Sequence, residues 1–248
     1  MFNAKSLEEF FNKVNAATVS NITLYLIGGC NMSLRNLKLV TKDVDFVLLT
    51  KAELDNFKKA VEKLGYATDK ELFKEAVYRD AVIVFKDDSG SRIDIFLKSI
   101  CNQLVLSDGM VNRSVLHKNY GKIKVMLVSS EDIFLFKSLT GRPQDIDDCF
   151  AFIDTGKLDW KTIINECTLQ HREKVKWIFW LFEQVCRIED AKNIIIPAKR
   201  NVFSICKDNW SKHPTDFMLD FSAKQIKKHV PVPQQKEIIE AKQNESKI

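Results

Sequence analysis

Asp43 and Asp45 stand one residue apart at the head of an apolar run, DVDFVLL, and no other feature constrains the fold as tightly. On a strand, successive side chains alternate faces, so an i,i+2 pair points the same way. Two carboxylates side by side on an otherwise apolar strand repel each other and are costly to desolvate. A divalent cation held between them is the commonest chemical remedy. A third acid, Asp94, lies in a second apolar run, RIDIFL, and a neighbouring strand could carry it to the same place. The plain alternative is ion pairing, of Asp43 and Asp45 with Lys38 or Lys42, and of Asp94 with Arg92 on its own strand face.

The text around the pair reads as strand, two glycines, short helix, strand. Residues 4–19 have the period of an amphipathic helix through Leu7, Phe10, Phe11 and Val14. A strand over 23–27 ends at Gly28 and Gly29, which allow a tight turn and a close approach of backbone to a ligand. A short helix over 31–37 follows, then the acidic strand over 43–49. Thr50 and Glu53 form a capping box for a helix striped by Leu54, Phe57, Val61 and Leu64, with Gly65 at its C′ position. A hairpin follows, with strands over 81–85 and 92–97 about a turn at 87–90. Residues 98–120 carry no clear pattern, and 123–128 reads as another strand. Helices are expected from Ser129 or Ser130, over 146–153, over 158–169 and over 171–188. Residues 236–247 read as a polar terminal helix or a disordered tail. The plan is a mixed α/β domain over 1–128 and a helical remainder over 129–248.

Of the chain's 248 residues, 45% are hydrophobic and 29% charged, which suits a soluble chain with a substantial core. Residues 1–160 hold 22 basic and 22 acidic side chains, and residues 161–248 hold 16 and 11. The net charge of +5 therefore belongs to the last third, which weakly favours an anionic partner there. Cysteines 30, 101, 149, 167, 186 and 206 form no zinc-like grouping with the four histidines and read as buried, reduced thiols of a cytoplasmic chain. No apolar stretch is long enough to span a membrane, and the first residues lack the apolar core of a secretory leader. Trp177, Trp180 and Phe182 read as core rather than as a base-stacking platform.

Gly28-Gly29, then Asp43-Val-Asp45, then the strand-borne Asp94 resemble the nucleotidyltransferase superfamily that shares the DNA polymerase beta fold. The flanking residues resemble its minimal members, including the toxin-like nucleotidyltransferases of abortive-infection systems. Those members carry a threonine two residues before the first aspartate, here Thr41. They also carry a later helical lysine followed by Arg-x-x-Asp-x-x-Asp, here Lys137, Arg142, Asp145 and Asp148. The resemblance covers residues 20–155 and implies a polymerase beta-like mixed sheet with flanking helices, with residues 129–155 packed on the active site. It implies Mg2+ or Mn2+ held by Asp43, Asp45 and Asp94, and an NTP as nucleotidyl donor. Gly28, Gly29, Ser33, Thr41 and Lys42 would contact the nucleotide, and Lys137 would reach the triphosphate unless Asp145 and Asp148 hold it as a brace. The implied acceptor is an RNA such as tRNA, a protein or a small molecule, and the implied partner is a cognate antitoxin. A non-catalytic nucleotide- or RNA-binding module of a toxin–antitoxin pair is the alternative. One departure stands out: Leu39 occupies the place where toxin-like relatives often have an arginine.

Overall fold

Successive side chains of a strand point to opposite faces, so every second residue of each apolar run falls on one face of a sheet. The computed structural model describes residues 1–69, 83–100, 104–139, 142–171, 176–210 and 221–245. The chain divides into two compact units, Met1–Ile133 and Phe134–Ile248.

The first unit opens with α1 (Ala4–Ala17), β1 (Ile22–Ile27), α2 (Gly28–Leu34), β2 (Asp43–Leu48) and α3 (Lys51–Lys63). It continues through β3 (Ala67–Thr68), β4 (Ile83–Lys86), β5 (Arg92–Leu97), β6 (Ser99–Ile100), β7 (Leu104–Val105), α4 (Asp108–Arg113), β8 (Val115–Asn119) and β9 (Ile123–Leu127). Among the described residues the main sheet has seven strands, ordered β3-β4-β5-β2-β1-β9-β8. β1 runs antiparallel to β2 and parallel to β9, and β2 runs parallel to β5, so the sheet is mixed.

Alternation sorts the two faces. Val44, Phe46 and Leu48 of β2 and Ile93 and Ile95 of β5 join Ile22, Leu24 and Leu26 in one buried cluster. Leu7, Phe10, Phe11 and Val14 of α1 and Leu54, Phe57, Ala60 and Val61 of α3 cover that cluster. Asp43, Asp45, Arg92 and Asp94 occupy the intervening positions and so belong to the opposite face. The register makes them neighbours: Asp43 lies opposite Arg92, and Asp45 opposite Asp94. At the sheet edge, Leu116 and Lys118 pair with consecutive residues of β9, which leaves His117 as an inserted residue.

Local signals explain the helix ends. Thr50 accepts a hydrogen bond from the Glu53 N–H, and Glu53 returns to the Thr50 N–H, a closed capping box. Glu53 also accepts the Thr23 N–H at 3.0 Å, joining α3 to β1. Gly65 ends α3 with φ +89°. Several expected boundaries move, and the helix expected over 171–188 runs instead over Trp177–Lys192, with His171 capping the end of the helix before it. α2 begins at Gly28, so the glycines form its first turn instead of a turn before it. α6 begins at Pro143 because proline is preorganised for the first turn of a helix. The last helix begins at Val232. Residues 81 and 82 of the expected hairpin lie outside the described residues.

Helix α5 (Ser130–Ser138) runs through the division between the units. The second unit continues with α6 (Pro143–Asp154), α7 (Trp160–Gln170), α8 (Trp177–Lys192), α9 (Lys199–Trp210), α10 (Ala223–His229) and α11 (Val232–Glu245). Helix α8 is buried on most sides: Trp177, Ile178, Phe179, Leu181, Phe182, Val185, Cys186 and Ile188 are buried, and so are Glu183, Gln184 and Glu189. A helix so enclosed belongs at the centre of its unit, and α6, α7 and α9 pack against it. Trp177 donates from Nε1 to the Leu135 carbonyl at 3.2 Å. Asn193, with φ 52°, ends α8 in the left-handed conformation. Cysteines 30, 149, 167, 186 and 206 are buried free thiols, and Cys101 lies outside the described residues. Among the described residues, no helix is long and apolar enough to cross a membrane.

Candidate active site

The site is assembled where β2 and β5 start side by side. Arg92 donates from one terminal guanidinium nitrogen to Asp43 Oδ2 at 2.7 Å and to Asp94 Oδ2 at 3.0 Å. Its Nε lies 2.9 Å from Asp94 Oδ1. The guanidinium therefore bridges two of the three acids. The ion-pairing alternative is realised for Asp94 and reaches Asp43 as well.

Asp94 is only 4% exposed. Burial pushes its carboxyl up, Arg92 pulls it back, and Asp43 raises it again, leaving the pKa at about 6. Asp45 is half-buried on the same face. Its carboxylate lies against the backbone of Gly28, where a Cβ would fall 2.3 Å from Asp45 Oδ2. Gly28 also has φ +61°, a conformation that side chains strain to adopt. Gly29 meets Thr41 in the same way, since a Cβ there would fall 2.4 Å from Thr41 Oγ1. The two glycines thus let α2 settle onto the start of β2.

Thr41 donates from Oγ1 to the Asp43 carbonyl at 3.1 Å, and its backbone exchanges two hydrogen bonds of 2.8 Å with Phe2. It anchors the strand's entry. Ser33 is 2% exposed, and its Oγ meets no hydrogen-bond partner among the described residues. It is a buried residue of α2 and is not displayed to solvent. Lys42 is exposed, and Leu39 is 91% exposed.

Two functional-looking residues escaped the sequence reading. Asn31 is fully buried and donates from Nδ2 to the carbonyls of Leu26 and Val128, at 2.8 and 3.0 Å, closing the ends of β1 and β9. Arg35 donates from Nε to Asn31 Oδ1 at 2.9 Å and also reaches the Val128 carbonyl. Burial lowers the Arg35 pKa from its ordinary value. The only signal for either was a polar residue spaced i,i+4 on a short helix.

Lys137 belongs to the second unit. Its ammonium is buried and donates to Asp145 Oδ1 at 3.0 Å and to Asp148 Oδ2 at 2.6 Å. Arg142 also reaches Asp145, from Nε at 3.0 Å. Burial pulls the Lys137 pKa down, and Asp145 and Asp148 more than restore it, so the lysine stays charged. That geometry is the brace between α5 and α6.

Three carboxylates at one end of two strands are oxygen donors suited to a hard divalent cation. Two of them already converge on one positive group, so the donor set fits such an ion in kind. As they stand, no three histidine, cysteine, aspartate or glutamate side chains among the described residues are grouped to hold a metal. Asp43 and Asp94 close on Arg92 instead. Comparison with protein-family models and with curated proteins finds no match for the chain.

Proposed function

We propose that this chain is a metal-dependent nucleotidyltransferase of the polymerase beta-like class, moving a nucleoside monophosphate from an NTP to a hydroxyl group. The supporting observation is the register of β2 and β5, which sets Asp45 opposite Asp94 with Asp43 on the same face, beside a backbone stripped of side chains at Gly28 and Gly29. Mg2+ or Mn2+ held by Asp43, Asp45 and Asp94 would supply a lowered pKa at the acceptor hydroxyl and neutralisation of the phosphate charge. Gly28 and Gly29 let the start of α2 close onto Asp45 and Thr41, which holds Asp45 beside the other acids. Thr41 fixes the start of β2 and with it the direction of Asp43. Asp94, with its pKa at about 6, is mostly ionised at neutral pH and takes up a proton below it.

The acceptor is an RNA, a protein or a small molecule, and the basic last third favours RNA. A cognate antitoxin is the expected partner of a toxin-like member. The test is incorporation of label from each NTP carrying it on the α-phosphate, with Mg2+ or Mn2+, into total cellular RNA and protein. Label that vanishes in the Asp43→Ala/Asp45→Ala double variant supports the enzyme and names the acceptor class. Label that survives in that variant overturns the assignment of the acids.

A second reading has its own observation. Arg92 pairs with both Asp43 and Asp94, an arrangement that suits a nucleotide- or RNA-binding module without turnover. Nucleotide binding without transfer to any acceptor, under the same conditions, favours that reading.

A further inference from the structure

A positive side chain that bridges two of these acids comes from the strand that carries one of them. Arg92 and Asp94 are two residues apart on β5 and share a face, and Arg92 is the direct cross-strand neighbour of Asp43. Its planar fork, which can serve two carboxylates at once, lies 2.7 Å from one and 2.9–3.0 Å from the other. Without a cation, two carboxylates this close, one of them only 4% exposed, would repel each other strongly. We infer that Arg92 is the resident cation of the site: it holds Asp43 and Asp94 while no divalent ion is bound, and an entering ion must take both acids from it.

The inference rests on the nucleotidyl-transfer reading for the identity of the ion. Its logic is electrostatic. A divalent ion ligated by Asp43 and Asp94 needs the oxygens that Arg92 contacts. If Arg92 stayed, a positive charge would sit within contact distance of another. Displacement and repulsion have the same sign, and both make Arg92 an antagonist of the metal. It is a positioning residue, because it acts on the acids and need not touch substrate.

The experiment is a Mn2+ titration of the full chain, followed by electron paramagnetic resonance, for the parent, Arg92→Gln, Arg92→Lys and the Asp43→Ala/Asp45→Ala control. Arg92→Gln is expected to bind Mn2+ about tenfold tighter or more, a conservative share of the effect of one unit charge removed at this distance. Arg92→Lys, which keeps the charge, is expected to stay near the parent. In chelator, Arg92→Gln should melt below the parent, and Mn2+ should raise its Tm by more than it raises the parent's. Equal or weaker Mn2+ binding by Arg92→Gln, with the parent binding normally, overturns the inference and leaves the proposed function standing. Failure of every protein to bind Mn2+ overturns both. The parent supplies a readout that needs no variant: the Arg92 Nε–H resonance should move on saturation with Mg2+. An unmoved resonance in a metal-bound parent overturns the displacement.

Discussion

Gly28 has no side chain to spare, because Asp45 fills the space that one would need. Gly28→Ala is expected to cost about 1–2 kcal/mol from the left-handed backbone alone, with the overlap at Asp45 adding to it. Gly90 has φ +79° and open space around it, so Gly90→Ala should show the backbone cost without the overlap. Urea denaturation of the two variants separates the contributions. A second residue gives a pH dependence. Burial raises the Glu8 carboxyl, but Tyr120, His117 and Lys118 outweigh it through hydrogen bonds and hold the pKa at about 2. A depressed folded-state pKa means stability that is present above the ordinary value and lost as pH falls toward the folded one. Glu8→Gln should therefore lower stability at neutral pH and flatten its decline between about pH 4.5 and pH 2. Denaturant midpoints measured across that range test it, and parallel declines in parent and variant would contradict it.

At the scale of elements, Lys137 joins two helices. Asp145 is fully buried and Asp148 nearly so, and removing one partner of a buried ion pair leaves charge without compensation. Lys137→Met is expected to destabilise the chain by about 3–5 kcal/mol, and Lys137→Met/Asp145→Asn/Asp148→Asn to recover part of the loss. A lysine held only for substrate would leave the denaturation midpoint unmoved. The elements also show what the sequence could convey. The capping box at Thr50 and Glu53 depends on residues three apart, and the common face of Asp43 and Asp45 on residues two apart, so both are legible in the chain. The Arg92–Asp43 contact depends on which strand lies beside β2, and no local pattern carries that pairing. Helix α2 starts earlier than expected because Gly28 and Gly29 resemble a turn until Asp45 and Thr41 are seen resting on them. Between residues 98 and 120 the described elements run from two to six residues, too short for any period to repeat.

Across the whole molecule, the division falls inside α5, five residues beyond the boundary expected at 128. Those five residues include Asp132, which is fully buried, accepts from Arg113 at 2.8 Å and bonds with Ser129. A fragment of residues 1–133 is therefore expected to be more stable than one of residues 1–128, by about 1–3 kcal/mol for the partner lost to Arg113. Hydrogen exchange on the two fragments measures the difference. Equal protection of α4 in both would show that Asp132 contributes nothing.

The outer strands of the sheet have a consequence for behaviour at high concentration. A row of unsatisfied backbone groups at a sheet edge invites a second chain to add on, the first step of edge-to-edge aggregation. Among the described residues, the outer strand β3 is two residues long, which leaves little edge to template a partner. At the other end, the inserted His117 bends β8 and turns toward Glu8, and Lys118 adds a charge beside it. A flat incoming strand would have to match that irregular, charged border, so the side chains that fasten α1 to the sheet also make β8 a poor template for edge pairing.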